Sequence, residues 1–166
     1  MQKEAVKQML QSYREDRARC AYLENEIPQL EQMAEALRTE MVDDAVSITQ
    51  VISDMPRGTS VSDPTGKLGA LFAAGYTPDH IRQVEKQIRA KKRELAKKRI
   101  TVTLVDSALE GLTDRERFVA ERKFIDGMFW RELIEAYKNR FEMLYSKNAL
   151  RNLSDTALDK MCRIME

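Results

Sequence analysis

Apolar residues recur every seven positions along the first third of the chain, at Val6, Tyr13, Cys20, Ile27, Ala34, Met41 and Ile48. Three residues after each stand Met9, Asp16, Leu23, Leu30, Leu37, Asp44 and Val51, five of the seven apolar. That period puts both sets on one side of an α-helix and predicts a coiled-coil-like seam. Pro28 interrupts it. Proline removes a backbone bond and crowds the preceding turn, so a break or bend is expected near residues 24–28. A second seam runs through Ile81, Ile88, Leu95, Val102 and Leu109, with the half-apolar partner set Val84, Lys91, Lys98 and Val105. "YTPDH" opens it, with Thr77 as cap, Pro78 at the first helical position and Asp79 in the first turn. "ITVTLV" has β propensity but keeps the seven-residue register, so it reads as helix. Two such seams predict an antiparallel helical hairpin, or a homodimer through the same N-terminal helices.

The connection between the seams, at about 53–77, is irregular and rich in turn residues. Asp63 and Pro64 can start a short helix through "GKLGALFAAG". Its "GKL" is no phosphate-binding loop, because the glycine spacing is wrong and no Ser or Thr follows Lys67. Beyond residue 110 the period-seven seam gives way to short amphipathic helices. Thr113 caps "DRERFVAERKF", and Asp126–Gly127 makes a turn in which glycine can take positive φ. "FWRELIEAY" follows, with Phe129, Trp130, Leu133, Ile134 and Tyr137 on one face. A last helix begins at the cap Ser146. Three helices of this size can share one small core. The expected fold is all-α: a long-helix, coiled-coil-like hairpin over 1–110, then a three-helix domain over 111–166.

Composition supports long solvated helices: charged residues are 33% of the 166-residue chain, with only 6 Gly and 4 Pro. The net charge of +1 gives no bulk electrostatic case for nucleic acid. The distribution is uneven. Residues 1–60 hold seven basic and eleven acidic side chains, whereas residues 82–99 hold nine basic and two acidic. The basic stripe either tracks DNA phosphates or flanks a coiled coil opposite the acidic helix, and the second reading is favoured. No apolar run reaches the roughly 18 residues of a membrane span. The N-terminal "MQKEAVKQML" lacks the apolar stretch of a signal peptide, so a cytoplasmic protein without a membrane partner is expected.

Catalytic chemistry has little to work with. His80 is the sole histidine, and Cys20 and Cys162 fit no metal or redox spacing. Neither an enzyme nor a cofactor is expected. The last helix is more informative. Ala149, Leu150, Leu153, Ala157, Leu158 and Met161 form one apolar stripe, and Lys147, Asn148, Arg151, Asn152, Asp155 and Asp159 lie opposite. The first half of that polar side is all donor-rich, and the acids come later. In a helix-turn-helix the second helix enters the major groove by its N-terminal residues. Arg can pair twice with guanine and Asn twice with adenine. Read alone, the helix is more readily a plain surface helix packed by its apolar stripe. Trp130 reads as core.

"LEGLTDRERFVAERKFIDGMFWRELIEAY" followed by "YSKNALRNLSDTALDKM" resembles the region 4 helix-turn-helix of sigma-70-type factors. The likeness lies in the "LT..ER" opening, the "DG" turn, "W.EL" in the middle helix and "AL.K" in the last. With Met55–Gly58 "MPRG" and Ser62–Thr65 "SDPT", the chain over 30–165 resembles the phage ArpU/RinA-like regulators. That resemblance implies a bacteriophage or prophage transcription regulator of late or packaging genes, acting on double-stranded DNA in a bacterial host. It implies the recognition role for Ser146, Lys147, Asn148, Arg151 and Asn152, a phosphate contact for Arg131, and RNA polymerase or self-association as the business of the N-terminal hairpin. Two alternatives stand beside it: a small terminase or other packaging component, and a helical protein-interaction module that does not bind DNA. One departure from the pattern is visible. Eight residues separate Tyr137 from Ser146, where the usual turn has three or four, so the middle helix runs on to about Phe141 or the turn is enlarged.

Overall fold

A computed structural model describes residues 2–53 and 78–165. Thr77, the connection with its short helix, and the "MPRG" and "SDPT" motifs lie outside the described residues, as do the side chains of Asp44, Ile48 and Val51 in the first seam. The described residues are all-α, with no strand. Five α-helices follow one another: α1 (Lys3–Ser53), α2 (Asp79–Glu110), α3 (Asp114–Ala120), α4 (Trp130–Phe141) and α5 (Lys147–Ile164). A π-helical turn, Glu121–Ile125, prolongs α3. No helix among the described residues is long and apolar enough to cross a membrane.

Of the break or bend expected near residues 24–28, the break does not occur, and α1 runs through Pro28. The proline sits on the exposed side, while Leu23, Ile27 and Ala34 around it are buried. Burial of those three side chains is worth several kcal/mol, against about 3 kcal/mol for one interior proline. The seam outweighs the interruption. "ITVTLV" lies within α2, as its register required.

Two compact units make up the chain: residues 1–22 with 94–166, and residues 23–93. This division differs from a cut at residue 110. In the second unit, α1 and α2 run antiparallel, with Glu26 paired to Lys91, Glu31 to Lys92 and Arg38 to Glu85. Ile27, Ala34, Ile81 and Ile88 are buried there. In the first unit the same antiparallel order joins Arg19 to Glu94, Asp16 to Lys98 and Tyr13 to Asp106. Asp16 and Lys98, one polar member of each seam, pair with each other. Asp16 is 5% exposed, and its bond to Lys98 raises the lysine pKa above its ordinary value. A charge pair at such positions fixes register, because any slip would bury a lone carboxylate.

The core of the first unit mixes both ends of the chain. Val6, Leu10 and Tyr13 of α1 and Val105, Ala108 and Leu109 of α2 pack with Ala157, Leu158, Met161 and Cys162 of α5. A second cluster joins Val119, Leu133, Tyr137 and Leu150, edged by Phe118, Trp130, Ile134, Phe141, Tyr145 and Leu153. Cys20 and Cys162 are buried, and neither is in a disulfide.

Candidate nucleic-acid interface

α3 starts at a reciprocal cap. The backbone N–H and the hydroxyl of Thr113 donate to Glu116 Oε2 at 3.0 and 2.9 Å, and the Glu116 N–H donates back to Thr113 Oγ1 at 3.5 Å. Glu116 also receives Lys160 of α5 at 2.7 Å. Burial works to raise this carboxyl. The Lys160 ammonium and the two Thr113 donors together outweigh it and hold the group below the ordinary glutamate range. One side chain thus starts α3 and ties α5 to it.

The π-helical turn ends at Asp126, and Gly127 reverses the chain at φ +70°. Glycine adopts that conformation without the Cβ clash other residues meet. The Met128 N–H returns to the Arg122 carbonyl at 3.0 Å, and Lys123 Nζ donates to the Met128 carbonyl at 2.8 Å. Phe129 precedes α4 in extended conformation, and its N–H is capped by Glu132 Oε2 at 2.9 Å. Lying outside the helix, Phe129 does not follow the helical phase. It is 75% exposed, whereas the sequence pattern put it on the apolar face. Leu133 and Tyr137 of that face are buried, and Trp130 and Ile134 are half-buried.

α4 continues to Phe141, and Glu142 closes it in the left-handed region at φ 54°. The eight residues after Tyr137 therefore divide between a last helical turn and a four-residue connection, Glu142–Tyr145. Ser146 then caps α5, its hydroxyl accepting from the Ala149 N–H at 3.2 Å.

α5 has the two faces its spacing implied. Leu150, Ser154, Ala157, Leu158, Met161 and Cys162 are buried. Ser146, Lys147, Asn148, Arg151 and Asn152 are all exposed and lie in its cap and first two turns. Of the later acids, Asp159 is taken up by Lys3 at 2.7 Å. Arg131 is exposed in the first turn of α4 and joins the set only through that helix.

Sequence reasoning assigned Trp130 to the core alone and passed over Lys123. Here the Arg151 Cζ lies 5.7 Å from the centre of the Trp130 ring, and Lys123 Nζ lies 5.0 Å from it. No sequence spacing announces a contact between residues 130 and 151, which depends on how α4 and α5 cross.

Three of the nine basic residues over 82–99, Lys91, Lys92 and Lys98, are each paired with an acid of α1, while Arg82 and Arg89 pair with acids of α2 itself. An open cleft of about 800 Å³ in the first unit is lined by Arg14, Arg17, Arg117 and Arg122. Asp106, Glu110, Glu121 and Asp126 line it as well, so its charge is balanced and favours no anion. Among the described residues no group of three His, Cys, Asp or Glu is placed to hold a metal ion. Comparisons with protein-family models, curated proteins and solved structures give no match.

Proposed function

We propose that the protein is a DNA-binding transcription regulator in which α4 and α5 act as a sigma-70 region 4-like helix-turn-helix. α5 enters the major groove by its N-terminal end. Lys147, Asn148, Arg151 and Asn152 meet base edges, Ser146 holds the helix start, and Arg131 contacts phosphate. The observation that carries this reading is the asymmetry of α5. Its exposed face is donor-rich and free of acids over the first two turns, while its buried face and the Glu116–Lys160 pair anchor it. An anchored helix presenting Arg and Asn at its entering end has the chemistry of base readout.

The long antiparallel helices serve as a coiled-coil-like hairpin that sets self-association or contacts RNA polymerase. With the resemblance to the phage regulators, the targets are late or packaging genes. The net charge of +1 implies modest non-specific affinity and reliance on a dimer or partner for tight binding. Phe129 and Leu144, 75% and 79% exposed, stand at the two ends of α4 and support a second reading, in which this domain docks on protein.

The test is selection from a random duplex library with purified protein at near-physiological salt. A motif enriched by the wild type and lost in the Arg151→Ala, Asn152→Ala double variant is expected. Folded protein that enriches nothing, with or without RNA polymerase, would remove the DNA reading in favour of protein docking. A ring of many subunits in solution would favour the packaging alternative over a regulator.

A further inference from the structure

We infer that Trp130 is a positioning residue for Arg151, holding its guanidinium ready before DNA arrives. The inference rests on the proposed role of α5 as the reading helix. An exposed arginine samples many rotamers, and ordering it on contact opposes binding. The Trp130 ring lies beneath the Arg151 guanidinium at 5.7 Å, within the range of a cation–π contact. Such a contact uses the π face of the ring and the charge of the cation. It leaves the in-plane N–H donors of the guanidinium available for the two acceptors of guanine.

The ring is itself well held. Trp130 packs against the cluster of Val119, Leu133, Tyr137 and Leu150. Lys123, fixed by its bond to the Met128 carbonyl, sits 5.0 Å from the same ring. Leu150, next in chain to Arg151, is fully buried in that cluster, so the backbone carrying Arg151 is fixed by the same packing. Both the ring and the arginine's point of attachment therefore belong to one rigid patch. A positioned side chain on a rigid element gains specificity, because only one base presents acceptors where the fork already points.

Two measurements test this. The first uses the free protein: the side-chain proton resonances of Arg151 should be shifted upfield by the indole ring current, and the shift should vanish in Trp130→Leu. Unshifted Arg151 resonances in the wild type would overturn the inference without touching the DNA reading. The second uses the motif selected by the wild type. Trp130→Leu should lose discrimination at one base position by about tenfold, with the slope of log affinity on log salt unchanged, and Trp130→Phe should recover most of the loss. A slope reduced by about one would instead make Arg151 a phosphate contact. That result, or a Trp130→Leu protein that discriminates as well as the wild type, refutes the positioning role. A wild type that selects no motif removes the DNA reading and this inference with it.

Discussion

Glu116 shows how much of this domain rests on single side chains. Its carboxylate caps α3 through Thr113 and accepts Lys160 of α5, while being 5% exposed. Replacing it with glutamine keeps the shape and removes the charge that both partners recognise. Glu116→Gln should lower stability by about 2 kcal/mol, measured by denaturant unfolding at neutral pH. The pH dependence has a definite sign. A carboxyl held low in the folded state stabilises the fold at pH above its unfolded value. That contribution is lost as pH falls through the folded value. The wild type should therefore lose part of its advantage over Glu116→Gln as pH drops below about 4, and a difference constant from pH 7 to pH 3 would contradict the assignment. The residues proposed to read DNA differ in kind: Lys147, Asn148, Arg151 and Asn152 are exposed, so their loss should alter DNA binding far more than folding.

At the level of elements, α1 is the informative case. It crosses Pro28 without ending, with Glu26–Lys91 and Glu31–Lys92 on either side of the proline in sequence. The missing N–H at Pro28 removes one i→i−4 bond that alanine would restore. Pro28→Ala should therefore raise stability by about 1 kcal/mol or more, read from the denaturant midpoint. No gain would mean that the proline ring contributes to the seam as much as the lost backbone bond costs it. The same element-level competition explains Phe129. Helical periodicity assigned it to an apolar face, yet α4 begins one residue later, because Glu132 caps the Phe129 N–H from inside the helix. The cap at Ser146 was legible in the spacing, and the end of α4 at Phe141 was one of the two alternatives the spacing left open. The π-helical turn before Gly127 was not, since nothing in "ERKFI" distinguishes it from ordinary helix.

Across the whole molecule, the first unit gathers its core from distant parts of the chain. Leu10 is fully buried in the cluster that holds Leu158 and Met161. Leu10→Ala should cost about 3 kcal/mol, as deletion of a buried leucine commonly does. It should also weaken DNA binding, although Leu10 is not among the residues proposed to touch DNA. For the same reason, residues 111–166 expressed alone should unfold with a broad, weak transition. Circular dichroism against temperature checks this, and a sharp transition matching the full chain would show that the N-terminal helix is dispensable to that core.

The sequence by itself was enough to place most of the helices, most of their buried faces and the caps of α3 and α5, because periodicity and capping are local and act within a few residues. Thr113 and Ser146 as caps, Gly127 as the reversal, and the buried seam positions from Val6 to Ala34 all follow from that local chemistry. Only the tertiary structure decided that α1 runs through Pro28, that Asp16 meets Lys98, that Lys160 reaches Glu116 and that Trp130 lies against Arg151. Each of those depends on which faces meet across a helix pair, and the energies that choose among such pairings belong to contacts between residues far apart in the chain.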